Sequence, residues 1–62
     1  MCLAMVYRGE EAPENLLLSN VQRIECRAGQ VILTDLMERQ LVVDGELVSV
    51  DLVGNTATIR PL

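Results

Sequence analysis

The residues of this chain that could do chemistry stand at its start. Met1-Cys2 puts an amine, a deprotonatable amide and a thiol within one dipeptide. With Met1 kept, the Met1 amine, the Cys2 amide nitrogen and the Cys2 sulfur close two fused five-membered chelate rings. With Met1 removed, the Cys2 amine and its own sulfur close one. Nitrogen and sulfur donors of this kind suit the square-planar preference of Ni(II) or Cu(II). One chain falls short of four donors, and two chains related by a two-fold axis would supply them. The residues alone leave open whether Cys2 simply begins a strand as a small apolar residue.

The rest of the chain offers little to a catalyst. There is no His, no Lys and a single Tyr, and Ser19 and Ser49 have no base to activate them, so general-base and triad mechanisms lack candidates and an enzyme is not expected. Glu10, Glu11 and Glu14 could be read as paired carboxylates, but a solvated acidic loop explains them as well. Cys26 lies in Ile24-Glu25-Cys26-Arg27, where strand alternation puts Ile24 and Cys26 on one face. It is expected to be a small buried hydrophobe, with a second metal ligand or a disulfide partner of Cys2 as the rival reading.

The net charge is −4 and the five Arg residues, at 8, 23, 27, 39 and 60, are scattered among nine acids. Phosphate-backbone binding needs clustered basic residues and single-strand readers need stacking aromatics, so nucleic acid is not an expected partner. No run approaches the length of a membrane span and no signal core opens the chain, so the expected location is the cytoplasm, where cysteines stay thiols.

Such a site needs elements to hold it, and the hydrophobic runs are short, rich in Val, Ile and Leu, and separated by turn signals, which is the pattern of strands. Strands are predicted over Cys2–Arg8, Leu16–Leu18, Val21–Arg27 and Gln30–Leu36, with the Pro13-containing loop Glu10–Glu14, Ser19-Asn20 and Ala28-Gly29 between them. Met37-Glu38-Arg39 reads as a turn. Asp44-Gly45, between Leu41-Val42-Val43 and Leu47-Val48, predicts a type I′ hairpin. Gly54-Asn55 predicts another, between Ser49–Val53 and Thr56–Arg60. In the last strand Ala57 and Ile59 alternate with Thr56, Thr58 and Arg60, giving one face in and one out. The expectation is one all-β domain over residues 1–62, a small barrel of six or seven short antiparallel strands of the SH3-like or OB-like sort. Half of the residues are apolar but Trp and Phe are absent, so the core is aliphatic. A domain this small usually needs idealised packing or a second copy of itself, and a homodimer is expected.

The opening Met1-Cys2-Leu3-Ala4, followed by Val6-Tyr7, resembles the start of the CooT-like family. Ser19-Asn20-Val21, Leu33-Thr34-Asp35-Leu36 and Val50-Asp51-Leu52 resemble its later elements in order and spacing, so the likeness covers essentially the whole chain. What the resemblance implies is a homodimeric β-barrel that binds nickel through Cys2, with Met1 beside it, and helps supply the metal to carbon monoxide dehydrogenase, its client enzyme. Two departures stand out: the chain has no His-rich tail, and Cys26 has no counterpart in the family pattern. Some relatives carry an RNA-binding label that the charge and aromatic content here does not support. A small hydrogenase-maturation chaperone also starts Met-Cys-Leu-Ala and is the alternative, but its motif continues with Pro-Gly where this chain has Met5-Val6-Tyr7. A third reading is a metal-free module that binds a protein partner through a sheet edge.

Overall fold

The β-branched and aliphatic runs form five strands in the computed structural model, which describes residues 3–62. They are β1 (Ala4–Arg8), β2 (Leu16–Arg27), β3 (Gln30–Asp35), β4 (Gln40–Asp51) and β5 (Thr56–Pro61), with one 3₁₀ turn at Pro13–Asn15. Neighbours in sequence pair antiparallel all the way from β1 to β5, and a parallel pair, β1 with β5, closes the ring into a barrel. The all-β barrel expected from the sequence is what forms, although one of its seams is parallel.

Five strands replace the expected six or seven because two predicted breaks are bends inside long strands. At Ser19-Asn20 the chain does not stop: Asn20 takes a left-handed backbone with φ 55°, and β2 continues through it. Leu16 and Leu18 pair with β1, Val21 just beyond the bend pairs with both β1 and β3, and Arg23–Arg27 pair with β3 alone. Asn tolerates this conformation better than most residues, so one strand serves two sides of the barrel.

Asp44-Gly45 is likewise no hairpin. Asp44 still pairs with Gln30 of β3, whereas Gly45 already pairs with Pro61 of β5, so the dipeptide marks where β4 changes partners. Gly45 is buried, and a Cβ built on it would overlap the Arg60 carbonyl oxygen and meet Ile59 Cγ2 at 3.0 Å. Glycine is required here for close approach of two backbones and not for a turn.

The other turn signals behave as expected. Ala28-Gly29 joins β2 to β3 with Arg27 opposite Gln30 and Gly29 at φ 73°. Gly54-Asn55 lies in the turn between β4 and β5, with Asn55 at φ 55° and Asp51 opposite Thr56. Residues 36–39 form the turn after β3, with Glu38 at φ 64°.

Inside the ring, Val6, Val21, Val31, Leu33, Ala57 and Ile59 are buried, and Ala4, Leu17, Leu18, Ile24, Val43 and Leu47 pack against them. Burying each Val, Leu or Ile side chain contributes roughly 1.5–3 kcal/mol. The alternation read in the last strand is realised, with Ala57 and Ile59 inside. Much apolar surface remains outside: Val50, Leu52 and Val53, around the β4–β5 turn, are 49%, 81% and 96% exposed.

Candidate metal centre

Met1 and Cys2, the residues to which the sequence assigns the metal, lie outside the described residues. What the fold does define is how the chain that follows them is held. β1 enters the barrel between β2 and β5, with Ala4 opposite Val21 and Met5 alongside Thr56. The Met5 backbone N–H donates to the Asn55 carbonyl at 2.9 Å. The pairing with β5 then runs unbroken from Met5 to Arg8. On the β2 side the register shifts between Ala4 and Val6 and again between Val6 and Tyr7. The start of the barrel is therefore guided chiefly by β5 and the turn before it.

That turn is fixed by an aspartate. Asp51 Oδ1 accepts the backbone N–H groups of Val53 at 3.0 Å and Gly54 at 2.9 Å. A side-chain carboxylate that accepts from the backbone two and three residues on is the usual stabiliser of such a turn. The chain follows into left-handed Asn55, whose carbonyl meets Met5. An Asp followed by a Gly three residues later was the readable signal.

A second aspartate does similar work at the other end of β4. Asp35 is 2% exposed, and its Oδ1 accepts the backbone N–H groups of Met37 and Arg39, both at 2.9 Å. Its Oδ2 accepts from Arg39 Nε at 2.8 Å. The main chain closes the same loop, with the Asp35 N–H on the Arg39 carbonyl and the Glu38 N–H on the Asp35 carbonyl. The backbone N–H of Arg39 lowers the Asp35 pKa below its ordinary value of 3.8; burial opposes the shift, and the Arg39 guanidinium and the Met37 N–H add to it. Every acceptor contact is met within the turn, so Asp35 is a structural carboxylate.

Cys26 corrects an expectation. It is exposed, with a free thiol. Alternation identified its face correctly, since Ile24 pairs with buried Leu33 and Cys26 with buried Val31. Yet it is the penultimate residue of β2, beside the Ala28-Gly29 turn, where the barrel has opened. Arg27, Gln30, Glu46 and Leu47 flank it in a shallow cleft. None of these adds a soft donor to its sulfur.

The acids Glu10, Glu11 and Glu14 are exposed, and the loop that carries them is tied by Asn15 Nδ2 donating to the Glu10 carbonyl at 3.1 Å. Among the described residues Ser49 bonds only the hydroxyl of Thr58, at 2.7 Å. Among the described residues no group of three or more His, Cys, Asp or Glu could hold a metal ion. No helix among them is long and apolar enough to cross a membrane.

Comparison with known proteins fits this geometry. A crystal structure assigned to CooT of Carboxydothermus hydrogenoformans superposes with a TM-score of 0.84 over 98% of both chains at 16% sequence identity, which establishes the shared fold. No curated protein sequence matches the chain. The family model described as "CO dehydrogenase accessory protein CooT" matches residues 1–60. With the match running from Met1 almost to the end of β5, the chain belongs to the CooT family of CO dehydrogenase accessory proteins.

Proposed function

We propose that this protein carries nickel(II), held by Cys2 and Met1, for insertion into carbon monoxide dehydrogenase, and that it acts as a cytoplasmic homodimer without catalytic activity of its own. The observation that carries the reading is the opening Met1-Cys2 in a chain whose family serves that enzyme. The nickel ion is cargo. It must be held firmly enough to be collected and loosely enough to be passed on, and a chelate at a chain terminus, with donors from two chains, meets both needs.

The donor chemistry supports this. Amine, amide nitrogen and thiolate together favour a square-planar borderline metal over zinc, which prefers a tetrahedral set. The dimer follows from the donor count, since one terminus supplies three donors at most, and from the small aliphatic core. A role without catalysis is supported by two side chains of the described residues: Ser49 bonds the Thr58 hydroxyl, and Asp35 is committed to its turn.

Equilibrium dialysis with Ni(II), paired with sedimentation, tests the proposal. The expected outcome is one tightly held nickel per two chains on a particle of twice the 6.9 kDa chain mass. A 7 kDa monomer under all metal conditions contradicts the dimer. Failure to take up nickel leaves the metal-free interaction module as the better reading.

A further inference from the structure

We infer that two copies of this chain meet through the outer face of the sheet β2–β1–β5–β4, at the uncharged residues Met5, Tyr7, Leu16, Ser49, Thr56 and Thr58. The inference rests on the dimer half of the reading above and names its contact surface.

The barrel has two outward sheet faces of opposite character. One runs from Arg23–Arg27 of β2 through β3 to Gln40–Asp44 of β4. It is laced with polar pairs: Arg23 and Arg27 lie 3.9 and 3.7 Å from the Glu25 carboxylate, and Gln30 donates to Asp44 at 3.4 Å. Such a face belongs in water. The other runs from Leu16 of β2 through β1 and β5 to the half of β4 after Gly45. Alternation with buried Val6, Ala57 and Ile59 turns Met5, Tyr7, Thr56 and Thr58 outward there. Pairing adds Leu16 opposite Tyr7 and Ser49 opposite Thr58. The side chains agree, with the Ser49 and Thr58 hydroxyls 2.7 Å apart and the Tyr7 hydroxyl 3.8 Å from the Met5 sulfur. Charge stands only at its margins, where Glu46 pairs with Arg60 and Asp51 is bonded to its turn. The chain's single Tyr is at its centre, and interface cores are poor in charge and rich in Tyr and Met.

Two features make a second copy the occupant. The first is charge. The chain carries a net −4, and a two-fold contact sets a patch against itself, so any net charge within it would meet its like. This face has none at its centre. The second is shape. Across the sheet the order is Leu16, Tyr7, Thr58, Ser49, so bulky side chains fill the β2–β1 half and small hydroxyl ones the β5–β4 half. A two-fold axis lying in the contact, parallel to the strands and between β1 and β5, sets Tyr7 of one copy over Thr58 of the other and Leu16 over Ser49. Large then meets small on both sides, as interdigitating sheets require. Val48, on the free edge of β4, and Leu52 and Val53, in the turn beyond it, are 57%, 81% and 96% exposed. They border the face and enlarge the contact toward the roughly 600 Å² per partner at which specific interfaces begin.

The contact needs no metal, so it is tested by sedimentation equilibrium of metal-free protein. Thr58→Arg and Leu16→Arg, with the parent's circular dichroism, are expected to weaken dimerisation roughly a hundredfold or more, because each sets an unpaired guanidinium in the contact. Val42→Arg, on the other sheet face, should leave it unchanged. The register is read in a chain with Cys2→Ser and Cys26→Ser that carries Leu16→Cys and Ser49→Cys. Those two thiols lie at opposite edges of the sheet within one chain, so mild oxidation should join two chains, and either new cysteine alone should not. Should Thr58→Arg fail to fold, Leu16→Arg and the cross-link decide. A folded Leu16→Arg or Thr58→Arg that dimerises like the parent overturns the inference, as do a monomeric Val42→Arg, a double-cysteine chain that forms no covalent dimer and a monomeric metal-free parent. A dimer that behaves as expected but takes up no nickel in dialysis keeps the contact and removes only the nickel reading.

Discussion

The turns at the two ends of β4 use the same part and come to different ends. In each, an aspartate closes a strand pair by accepting backbone N–H groups of the next few residues: Asp35 from Met37 and Arg39, Asp51 from Val53 and Gly54. Asp35 is buried and gains a guanidinium, whereas Asp51 stands in solvent and, among the described residues, its carboxylate bonds only the turn. Removing the buried one strands N–H groups where water reaches them poorly. Removing the exposed one lets water take its place. Sequence chemistry chose both turns alike, and burial decides that the first holds the barrel together while the second is free to guide the start of β1.

The sharpest way to break this comparison is Asp35→Ala, which should lower the melting midpoint by roughly 10 °C or more, because it removes a buried acceptor of three hydrogen bonds. Arg39→Ala should lose less than half as much, since both backbone N–H groups keep their acceptor. Acid should mimic the first variant. With its folded-state pKa below 3.8, Asp35 binds fewer protons folded than unfolded, so its contribution is present in full above the ordinary carboxylate range and is lost as pH falls through the lowered folded value. Thermal melts at pH 7 and across the range below pH 4 in parent and Asp35→Ala check this; equal acid sensitivity in both would remove Asp35 from the explanation.

The smallest expected effect belongs to Cys26. An exposed thiol at a strand end packs against little, so Cys26→Ser should change stability by no more than about 0.5 kcal/mol. It should also leave nickel stoichiometry unaltered, while abolishing the fast reaction of the folded protein with a thiol reagent at that position. A loss of several degrees in melting midpoint would mean that the side chain is covered in solution.

Most of the architecture was legible in the sequence. Short Val-Ile-Leu runs gave an all-β barrel, and Ala28-Gly29, Met37-Glu38-Arg39 and Gly54-Asn55 fall in turns. Two local signals were outvoted by tertiary structure. Ser19-Asn20 and Asp44-Gly45 are turn formers in isolation, but a five-stranded closed ring needs long strands that bend and pair on two sides. The left-handed Asn20 and the small Gly45 are what such bends require. The parallel β1–β5 closure pairs residues about fifty positions apart, and no local pattern announces it. Cys26 shows the limit of alternation: it fixes the side of the strand but not how far along the barrel the cover extends. The roles of Asp35 and Asp51 were visible only as turn-forming residue types, since their difference lies in burial. The candidate site was legible as donor chemistry in Met1-Cys2 and the β4–β5 turn as Gly54-Asn55, but the hold of that turn on Met5 was not.

The most direct measurement is nickel binding by Cys2→Ser. The exchange of sulfur for oxygen keeps the backbone and nearly the volume but offers a far poorer ligand to a borderline metal. The variant should keep the parent's circular dichroism and lose tight nickel binding. The sulfur-to-nickel charge-transfer absorption should disappear with it, as should the weakening of binding below neutral pH that follows from proton release by the thiol. A folded Cys2→Ser that binds nickel as tightly as the parent would contradict the central claim, and Cys2 would then be only the residue that leads into a strand.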